Sequence, residues 1–328
     1  MELFELLRRW WDAPDGPVVV RTSGSTGEPK DVVLSAAALR ASATAADARL
    51  GGPGQWLLAL PATYVAGLNV LVRSVLAATP PVVPTGSIVQ AAADMTGPRR
   101  FTALVPTQLH RLAETAELSA LRGFDAVLVG GASLRPELAE RAVDAGVRLV
   151  RTYGASETCG GCVYDGVPLD RVGVRLGTDA RVHLAGPVLF DGYDGRPDLT
   201  AQVLRDGWFA TGDLGSLDDD GRLRVLGRAD DVAVTGGVNV PLAAVTAALQ
   251  ALPGVHDGLA VGVPDAEWGE LVAAVLVGDT DPAEVRDAVA ATLPRAWAPR
   301  RVVQVDALPL LDTGKVDRVA VQALAAGA

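Results

Sequence analysis

Cysteine and histidine are scarce in this sequence, and their scarcity argues against several kinds of catalytic site. The 328 residues include two cysteines, Cys159 and Cys162, and three histidines, His110, His183 and His256. Two cysteines cannot form a disulfide framework. Their Cys-x-x-Cys spacing is typical of a redox pair or half a zinc site. Zinc takes about four ligands, however, and only the three histidines are available elsewhere in the chain, so we do not expect a zinc site. A hydrolase triad also lacks support, because the sequence contains no Gly-x-Ser-x-Gly segment.

Positive charge is also in short supply. The chain has 29 Lys and Arg residues against 39 Asp and Glu residues, a net charge of −10, and short pairs such as Arg99 and Arg100 are sparse. Nucleic acids are bound through clustered Lys and Arg, so we expect no nucleic-acid partner. The chain begins with Glu2 and Glu5, where a signal peptide needs positive charge, so we expect a cytoplasmic protein.

The apolar runs of the sequence do not suit a membrane span. Residues 50–72 carry no charged side chain, but Pro53, Pro61 and several glycines interrupt them. We predict a buried strand at residues 56–60, then a buried helix from about residue 67, and no membrane insertion. With 49% hydrophobic and 21% charged residues, the chain can bury a large core, which excludes wholesale disorder.

Short apolar runs alternate with helical stretches along the first half of the chain. The predicted strands are residues 17–20, 56–60, 102–105, 126–129 and 147–150, and the predicted helices include 35–50 and 135–145. This alternation indicates an α/β fold with a mainly parallel sheet covered on both faces. From residue 182, short strands separated by Asp-Gly turns predict a small antiparallel or barrel-like β subdomain.

The last hundred or so residues are predicted to form a small α+β domain of their own. Residues 241–252 and 282–293 read as helices, and residues 258–263 and 271–277 as strands. We therefore predict two domains, at residues 1–229 and 230–328.

A polar loop, TSGSTGEPK at residues 22–30, directly follows the strand predicted at residues 17–20. Its hydroxyl side chains, glycines and single lysine can donate hydrogen bonds and positive charge to phosphate oxygens. These residues are Thr22, Ser23, Gly24, Ser25, Thr26, Gly27 and Lys30. The loop is not a Walker A motif, because Pro29 precedes the lysine and Asp31 follows it. We predict phosphate binding, with a polar surface turn as the alternative.

This loop and six later segments, in order, resemble the motifs of the adenylate-forming superfamily of acyl-CoA synthetases, adenylation domains and luciferases. The later segments are GGA at 130–132, YGASET at 153–158, TGD at 211–213, GRADD at 227–231, GGVN at 236–239 and LDTGKVDR at 311–318. The resemblance covers nearly the whole chain. It implies a large α/β domain with a small β subdomain, followed by a small mobile lid domain. Because superfamily members usually have a long segment before the phosphate loop, we expect an N-terminally abbreviated large domain.

The resemblance also implies a role for each matched position. The phosphate loop and Lys30 would hold the ATP phosphates. Asp213 and Arg228 would bind the ribose, and the rest of the AMP site would be Gly130, Gly131, Ala132, Tyr153, Gly154 and Ser156. Glu157 would be catalytic and hold Mg²⁺, and Lys315 would bridge the attacking carboxylate and the α-phosphate. Gly236 and Gly237 would line the route of coenzyme A, and Asp230 would be the hinge. The implied small molecules are ATP, Mg²⁺, coenzyme A and a carboxylic acid; the sequence leaves a homodimer open.

Three segments further resemble the 2-succinylbenzoate:CoA ligases of menaquinone biosynthesis, in their short actinobacterial form. These are LALPATYVAGLNVLVRS at 58–74, LVPTQLHRL at 104–112 and GGCVYDGVPLD at 160–170. The resemblance implies formation of 2-succinylbenzoyl-CoA, AMP and diphosphate from 2-succinylbenzoate, ATP and coenzyme A. The alternatives are another aryl- or acyl-CoA ligase, a stand-alone adenylating enzyme, or a non-catalytic adenylate-binding protein.

The acyl pocket implied by this subfamily includes Tyr64, Gly67 and Arg73. Arg73 is a lone cation in an apolar stretch, so either a ligand carboxylate or an internal acidic residue should neutralise it. Two positions depart from the superfamily pattern. Asp31 stands where the phosphate loop usually continues with glycine, and Tyr64 stands where many members have histidine; both departures could weaken ATP binding or alter substrate choice.

Overall fold

The computed structural model describes residues 2–22, 29–115, 117–229, 231–311 and 315–327. The chain divides into two compact units. The first comprises residues 1–176, 183–211 and 217–224, and the second comprises residues 177–182, 212–216 and 225–328.

The helices and strands follow one another along the chain in a mixed α/β order. The α-helices are α1 (Glu2–Asp12), α2 (Ala36–Leu50), α3 (Val65–Leu76), α4 (Ile88–Ala93), α5 (Pro106–Glu114), α6 (Pro136–Asp144), α7 (Pro197–Val203), α8 (Leu242–Gln250), α9 (Pro282–Ala290) and α10 (Arg318–Ala326). The strands up to residue 193 are β1 (Val18–Arg21), β2 (Asp31–Leu34), β3 (Gln55–Leu57), β4 (Arg100–Leu104), β5 (Ala126–Gly130), β6 (Leu149–Ala155), β7 (Gly160–Tyr164), β8 (Val167–Pro168), β9 (Gly173–Leu176), β10 (Arg181–Ala185) and β11 (Gly192–Tyr193). The later strands are β12 (Leu204–Arg205), β13 (Trp208–Leu217), β14 (Leu223–Arg228), β15 (Val232–Thr235), β16 (Val238–Pro241), β17 (Val255–Asp265), β18 (Gly269–Gly278) and β19 (Arg301–Gln304).

The central sheet of the first unit has the strand order β3-β4-β5-β6-β7-β8. Strands β3 to β6 are parallel, and β7 and β8 add antiparallel edges. Alternate residues of these strands enter two different cores, because successive side chains of a strand point to opposite faces. Leu57, Leu104 and Val127 pack with α4, α5 and α6, whereas Trp56 and Phe101 pack with α2 and α3. The predicted α/β fold, with a mainly parallel sheet covered on both faces, is confirmed.

The first predicted strand does not belong to that sheet. Strand β1 instead pairs antiparallel with β2, and β2 pairs antiparallel with β11, so the three strands form a separate sheet. The prediction that residues 17–20 join the parallel alternation was wrong. The physical reason is the length of the connection: only nine residues separate β1 from β2, fewer than the dozen or so that a crossover between parallel strands needs.

A five-stranded sheet lies in the region where the sequence predicts a small β subdomain. Its order is β12-β13-β10-β9, with β14 also paired to β13. Strands β12 and β13 form an antiparallel pair, with Leu204 opposite Phe209. The Asp206-Gly207 turn joins them with both residues at positive φ, as a tight hairpin requires.

The second unit contains a sheet with the order β16-β15-β18-β17, and β19 pairs parallel with β18. Alternation along β17 and β18 again separates two cores. Ala260, Val272 and Ala274 pack with α8 and α9, whereas Leu259 and Val261 share a core with residues of α10. This sheet is therefore covered by helices on both faces.

Among the residues that the structure describes, no helix is both long enough and apolar enough to span a bilayer.

Candidate active site

The predicted phosphate loop connects the two strands of the β1–β2 hairpin. Its two ends are joined by backbone contacts: Thr22 N donates to the Lys30 carbonyl at 2.8 Å, and Lys30 N donates to Thr22 Oγ1 at 3.1 Å. These bonds bring the first and last residues of the loop together. The predicted phosphate ligands Ser23, Gly24, Ser25, Thr26 and Gly27 lie outside the described residues.

The aspartate that departs from the superfamily pattern is paired within the same hairpin. Asp31 lies opposite Arg21, and the guanidinium donates to its carboxylate through Nε at 2.9 Å and Nη2 at 3.0 Å. This hydrogen bonding from Arg21 lowers the pKa of Asp31. The carboxylate is thus ionised, with a cation bound to it in a bidentate manner. Its negative charge is largely offset beside the loop, which weakens the concern that it repels phosphate.

Tyr193 connects Lys30 with Glu157. The phenol hydroxyl donates to Glu157 Oε1 at 2.7 Å, and Lys30 Nζ lies 5.2 Å from the centroid of the tyrosine ring. Tyr193 is only 6% exposed and lies on β11, where it pairs with Val32 of β2. Burial, together with the neighbouring carboxylate, raises the pKa of Tyr193, so its hydroxyl stays protonated and can donate. Sequence reasoning missed this residue, because its position depends on strand pairing between distant segments.

The turn that carries Glu157 is fixed by buried hydrogen bonds. Residues Ser156–Thr158 form a short 3₁₀ turn after β6, and Cys159 follows in the left-handed region with φ 49°. The Cys159 carbonyl accepts hydrogen bonds from Ser42 Oγ at 3.1 Å and Asn69 Nδ2 at 2.5 Å. The sequence singles out neither residue as a site residue. They hold the backbone two residues beyond Glu157, which limits the positions its carboxylate can adopt.

The predicted adenine-binding segments follow adjacent parallel strands. Gly130 ends β5, and its partner in β6 is Thr152, next to Tyr153. A Cβ at Gly130 would lie 2.3 Å from Thr152 Oγ1, and one at Gly154 would lie 2.1 Å from the Gly160 carbonyl oxygen. Glycine is therefore required where these segments approach each other. Gly131 has φ +83°, and Ala132 follows it. Carboxyl ends of parallel strands are the usual ligand edge of open α/β sheets.

The predicted acyl-pocket residues have clear structural environments. Tyr64 immediately precedes α3, and Gly67 is buried so closely that a Cβ would lie 2.2 Å from the Pro61 carbonyl oxygen. Arg73 is 3% exposed, donates through Nη2 to the Tyr164 hydroxyl at 3.2 Å, and lies 4.8 Å from the Trp56 ring centroid.

Asp47 is the acidic residue whose pKa responds to the charge of Arg73. Burial raises the pKa of Asp47, while the positive charges of Arg73 and Arg99 act to lower it. Asp47 is thus an internal candidate for the partner of Arg73, but no N–O distance of 4 Å or less joins the two side chains, and Arg73 Nε has no hydrogen-bond partner among the described residues. Both alternatives, an internal acidic residue and a ligand carboxylate, therefore stay open.

The second unit brings together the residues predicted to bind ribose. Arg228 Nη1 lies 3.7 Å from Asp213 Oδ1, and a Cβ at Gly212 would lie 2.5 Å from Arg228 Nη2. The glycine of the TGD segment therefore makes room for the guanidinium beside the aspartate. The pair presents carboxylate oxygens and guanidinium donors together, which suits the hydroxyl groups of a sugar.

The same unit holds the predicted coenzyme A and lysine positions. Gly236 and Gly237 both have positive φ, 56° and 80°, and Gly236 N donates to the Trp268 carbonyl at 3.0 Å. The carbonyl of Lys315 accepts from Leu311 N at 2.8 Å. The predicted hinge, Asp230, lies outside the described residues.

The cysteine pair has the character of core packing. Both Cys159 and Cys162 are fully buried, and burial raises the pKa of each thiol to about 12. A protonated thiol is a poor metal ligand and a poor nucleophile. Within the described ranges, no group of three or more His, Cys, Asp or Glu side chains is arranged to hold a metal ion. An isolated carboxylate such as Glu157 can still contribute to a Mg²⁺ site, since this ion takes one or two protein carboxylates together with phosphates.

Comparison with known proteins identifies the class to which this site belongs. Residues 9–191 match the family described as AMP-binding enzyme, and residues 244–315 match the AMP-binding enzyme C-terminal domain. The chain therefore belongs to the AMP-binding enzymes, and the resemblance to the adenylate-forming superfamily is confirmed.

Several individual relatives cover most of the chain. A probable 2-succinylbenzoate–CoA ligase of Mycobacterium tuberculosis is 46% identical over 326 residues, which cover 93% of this chain and 84% of the relative. A feruloyl-CoA synthase of Amycolatopsis sp. is 32% identical and covers 93% and 70%. The solved structure of o-succinylbenzoate CoA synthetase from Bacillus subtilis, in complex with its acyl-adenylate intermediate, matches with a TM-score of 0.80 at 26% identity, covering 93% of this chain and 68% of that one. ATP-bound MatB from Rhodopseudomonas palustris matches with a TM-score of 0.83 at 27% identity and covers 93% and 67%. The predicted likeness to 2-succinylbenzoate–CoA ligases is confirmed.

Proposed function

We propose that this chain is an AMP-forming acid–CoA ligase that activates 2-succinylbenzoate. The proposed activity rests on one observation: Tyr193 contacts both Lys30 and Glu157, next to the predicted phosphate loop. This cluster supports the proposal, because it contains an ammonium that suits phosphate oxygens and a carboxylate that suits a divalent ion. Phosphoryl and adenylyl transfers depend mainly on such positioning and charge stabilisation.

In the first half-reaction, a carboxylate oxygen of the acid attacks the α-phosphorus of ATP, and the bond to the diphosphate leaving group breaks. We assign phosphate binding to the residues 22–27 and Lys30, and ribose binding to Asp213 and Arg228. Bound Mg²⁺ would neutralise phosphate charge, and Glu157 offers an oxygen to hold it. Lys315 would donate to the oxygens that gain charge as the carboxylate attacks.

In the second half-reaction, the sulfur of coenzyme A attacks the acyl carbonyl, AMP leaves, and the thiol proton passes to solvent. Gly236 and Gly237 would line the route of the pantetheine arm. The lid domain at residues 230–328 would turn about Asp230 between the two half-reactions, as the superfamily resemblance implies. We place the enzyme in the cytoplasm, where ATP and coenzyme A are available.

The choice of acid rests on the named relatives. The 46% identical mycobacterial relative and the Bacillus subtilis structure both carry 2-succinylbenzoate in their names. The feruloyl-CoA synthase, at 32% identity, makes another aryl acid the second candidate.

A screen of candidate acids tests this assignment. Purified protein is incubated with ATP, MgCl₂ and either 2-succinylbenzoate, ferulate or benzoate, with and without coenzyme A, and the acyl-adenylate and thioester are measured by mass spectrometry. We expect 2-succinylbenzoyl-CoA and AMP as the main products. Preferred activation of ferulate would transfer the assignment to the second candidate. Adenylate without thioester would indicate a stand-alone adenylating enzyme.

Lys315→Ala separates the two half-reactions. We expect this variant to lose adenylate formation but to convert supplied 2-succinylbenzoyl-adenylate to the thioester at close to the wild-type rate, because the lysine acts only at the carboxylate and α-phosphate. Circular dichroism and thermal unfolding check that the variant folds. Diphosphate exchange at the wild-type rate in Lys315→Ala would contradict the role of this lysine.

A further inference from the structure

Tyr193 is held too firmly to be a passive neighbour of Lys30 and Glu157. Its ring packs edge-on against Phe190, with 5.1 Å between centroids, and its backbone N donates to Thr200 Oγ1 at 2.9 Å. The side chain is 6% exposed. Both ends of the phenol are therefore fixed: the ring by packing, and the hydroxyl by its hydrogen bond to the carboxylate.

The Tyr193 hydroxyl is hydrogen-bonded to one of the two carboxylate oxygens of Glu157. Oε1 accepts the hydrogen bond from Tyr193, while Oε2 accepts none from the side chains and backbone that the structure describes. A carboxylate held through one oxygen has lost most of its rotational freedom, and the other oxygen is left to bind a cation. Replacing a group that holds a metal ligand in this way typically lowers metal affinity about 10- to 100-fold.

The face of the same ring carries Lys30. An ammonium over an aromatic face, here with Nζ 5.2 Å from the centroid, is attracted by the ring electrons. Lys30 is otherwise a long, flexible side chain at the end of a loop, and fixing it reduces the entropy lost when phosphate binds.

We propose that Tyr193 is a positioning residue that couples the metal-holding carboxylate to the phosphate-binding lysine. Its hydroxyl orients Glu157 so that Oε2 remains for Mg²⁺, and its ring holds the Lys30 ammonium. The two functions belong to different parts of one side chain and are therefore separable by substitution. This inference rests on the proposed function, since it takes Glu157 as the Mg²⁺ ligand and Lys30 as a phosphate ligand.

Calorimetry with α,β-methylene-ATP, an analogue that cannot transfer its adenylyl group, tests the coupling without relying on turnover. Binding is measured over a range of MgCl₂ concentrations for the wild type, Tyr193→Phe and Tyr193→Leu. We expect Tyr193→Phe to need about ten- to a hundredfold more Mg²⁺ for the same affinity, with binding in EDTA unchanged. We expect Tyr193→Leu to show the same shift and also weaker binding in EDTA, since it removes the ring beneath Lys30.

Lysine labelling provides a second readout, because Lys30 and Lys315 are the only two lysines in the sequence. Reductive methylation of the free protein is followed by mass spectrometry, with Lys315 as the internal reference. Tyr193→Leu should raise the labelling of Lys30 relative to Lys315, whereas Tyr193→Phe should leave the ratio unchanged. An unchanged ratio in Tyr193→Leu would refute the role of the ring.

Tyr164→Phe is the matched control, because this tyrosine is also buried and its hydroxyl also makes one hydrogen bond to a charged side chain, which it accepts from Arg73. It should not change the Mg²⁺ requirement. Glu157→Asp keeps the carboxylate but breaks its contact with Tyr193, and because it also shortens the proposed Mg²⁺ ligand, only its combination with Tyr193→Phe separates the two effects. In the Glu157→Asp background, Tyr193→Phe should then add nothing further.

The outcomes distinguish the two proposals. If the wild type binds the analogue equally well with and without Mg²⁺, or Glu157→Gln leaves the Mg²⁺ requirement unchanged, the assignment of Glu157 in the proposed function fails. If Glu157→Gln shifts the requirement but Tyr193→Phe, folded by thermal unfolding, does not, the coupling role of Tyr193 is overturned and the proposed function stands.

Discussion

Replacing Arg73 with leucine tests whether this buried cation stabilises the fold or binds substrate. The side chain is 3% exposed, donates to the Tyr164 hydroxyl and lies over Trp56. Its charge attracts Asp47, whose Oδ1 is buried without a hydrogen-bond partner among the described residues. Leucine fills most of the space but removes the charge, so Asp47 is left facing a largely apolar core.

The expected loss follows from the attraction between Arg73 and Asp47. Removing one partner of a fully buried ion pair costs about 3–5 kcal/mol. Arg73 and Asp47 make no direct ion pair within 4 Å among the described residues, Asp47 is only half-buried and it also feels Arg99, so we expect a smaller loss, about 1–3 kcal/mol at pH 7. Asp47 can instead bind a proton, and protonating a carboxyl of pKa near 3.9 at pH 7 costs about 4 kcal/mol, which sets the upper limit.

The pH dependence has a definite sign. Burial raises the pKa of Asp47 in the folded protein above its unfolded value, so the native state binds the proton more tightly. This contribution to stability is fully present below the unfolded pKa and is lost as pH rises through the folded pKa. Arg73→Leu raises the folded pKa further. The stability gap between variant and wild type should therefore be largest at neutral pH and shrink toward pH 4.

Two measurements test this prediction: the free energy of unfolding in urea at pH 5 and pH 7, and the Michaelis constant for 2-succinylbenzoate. We expect lower stability and a Michaelis constant within about threefold of the wild type. Adding Asp47→Asn should restore most of the loss. Arg49→Leu, which removes an exposed arginine bonded to two backbone carbonyls, is the matched control and should change stability little. Unchanged stability, with a Michaelis constant raised more than about tenfold for 2-succinylbenzoate but not for a monocarboxylic analogue, would show that Arg73 binds the second carboxylate.

Two further predictions concern the cysteines and the glycine pair of the second unit. Burial raises the pKa of Cys159 and Cys162 to about 12, so both thiols should resist Ellman's reagent in the native protein at pH 8 and react on unfolding. For the same reason, the free energy of unfolding should fall as pH rises above about 9. Fast labelling of the native protein would contradict this prediction. Gly236→Ala should slow thioester formation about tenfold or more and retain adenylate formation, because the added Cβ would lie 2.8 Å from the Trp268 ring. Gly237→Ala should have the smaller effect, because the space around its Cβ is open. Equal rates for the two variants in the thioester assay would count against this reasoning.

Patterns that depend on local chemistry predict much of this fold. The apolar run at residues 126–129 forms a fully buried parallel strand, and the helix predicted at 35–50 begins and ends where Ser35 caps it and Gly51 adopts the left-handed conformation. The buried state of Arg73 also follows from its apolar context. The boundary between the two domains, at residues 229 and 230, stays a prediction.

Contacts between distant segments could not be predicted in the same way. Strand β1 leaves the parallel sheet because β2, a strand that was not predicted, follows it within nine residues, and β2 in turn pairs with the distant β11. Tyr193 approaches Glu157 only through that pairing. Asn69 and Ser42 each look like ordinary polar residues in a helix, and their role appears only when α2 and α3 both reach the Cys159 carbonyl.

The use of lysine connects the acidic composition with the proposed chemistry. Lysine occurs only at positions 30 and 315, and every other formal side-chain cation of the chain, apart from any protonated histidine, is arginine. Arginine pairs well with fixed carboxylates, as Arg21 does with Asp31, because its planar fork matches the two oxygens. A lysine ammonium instead presents three donors that rotate freely, and it can follow phosphate oxygens whose charge and position change during a reaction. General solubility and ion pairing are left to arginine and to the acidic surplus, which fits the roles that we propose for the two lysines at the moving charges of adenylate formation.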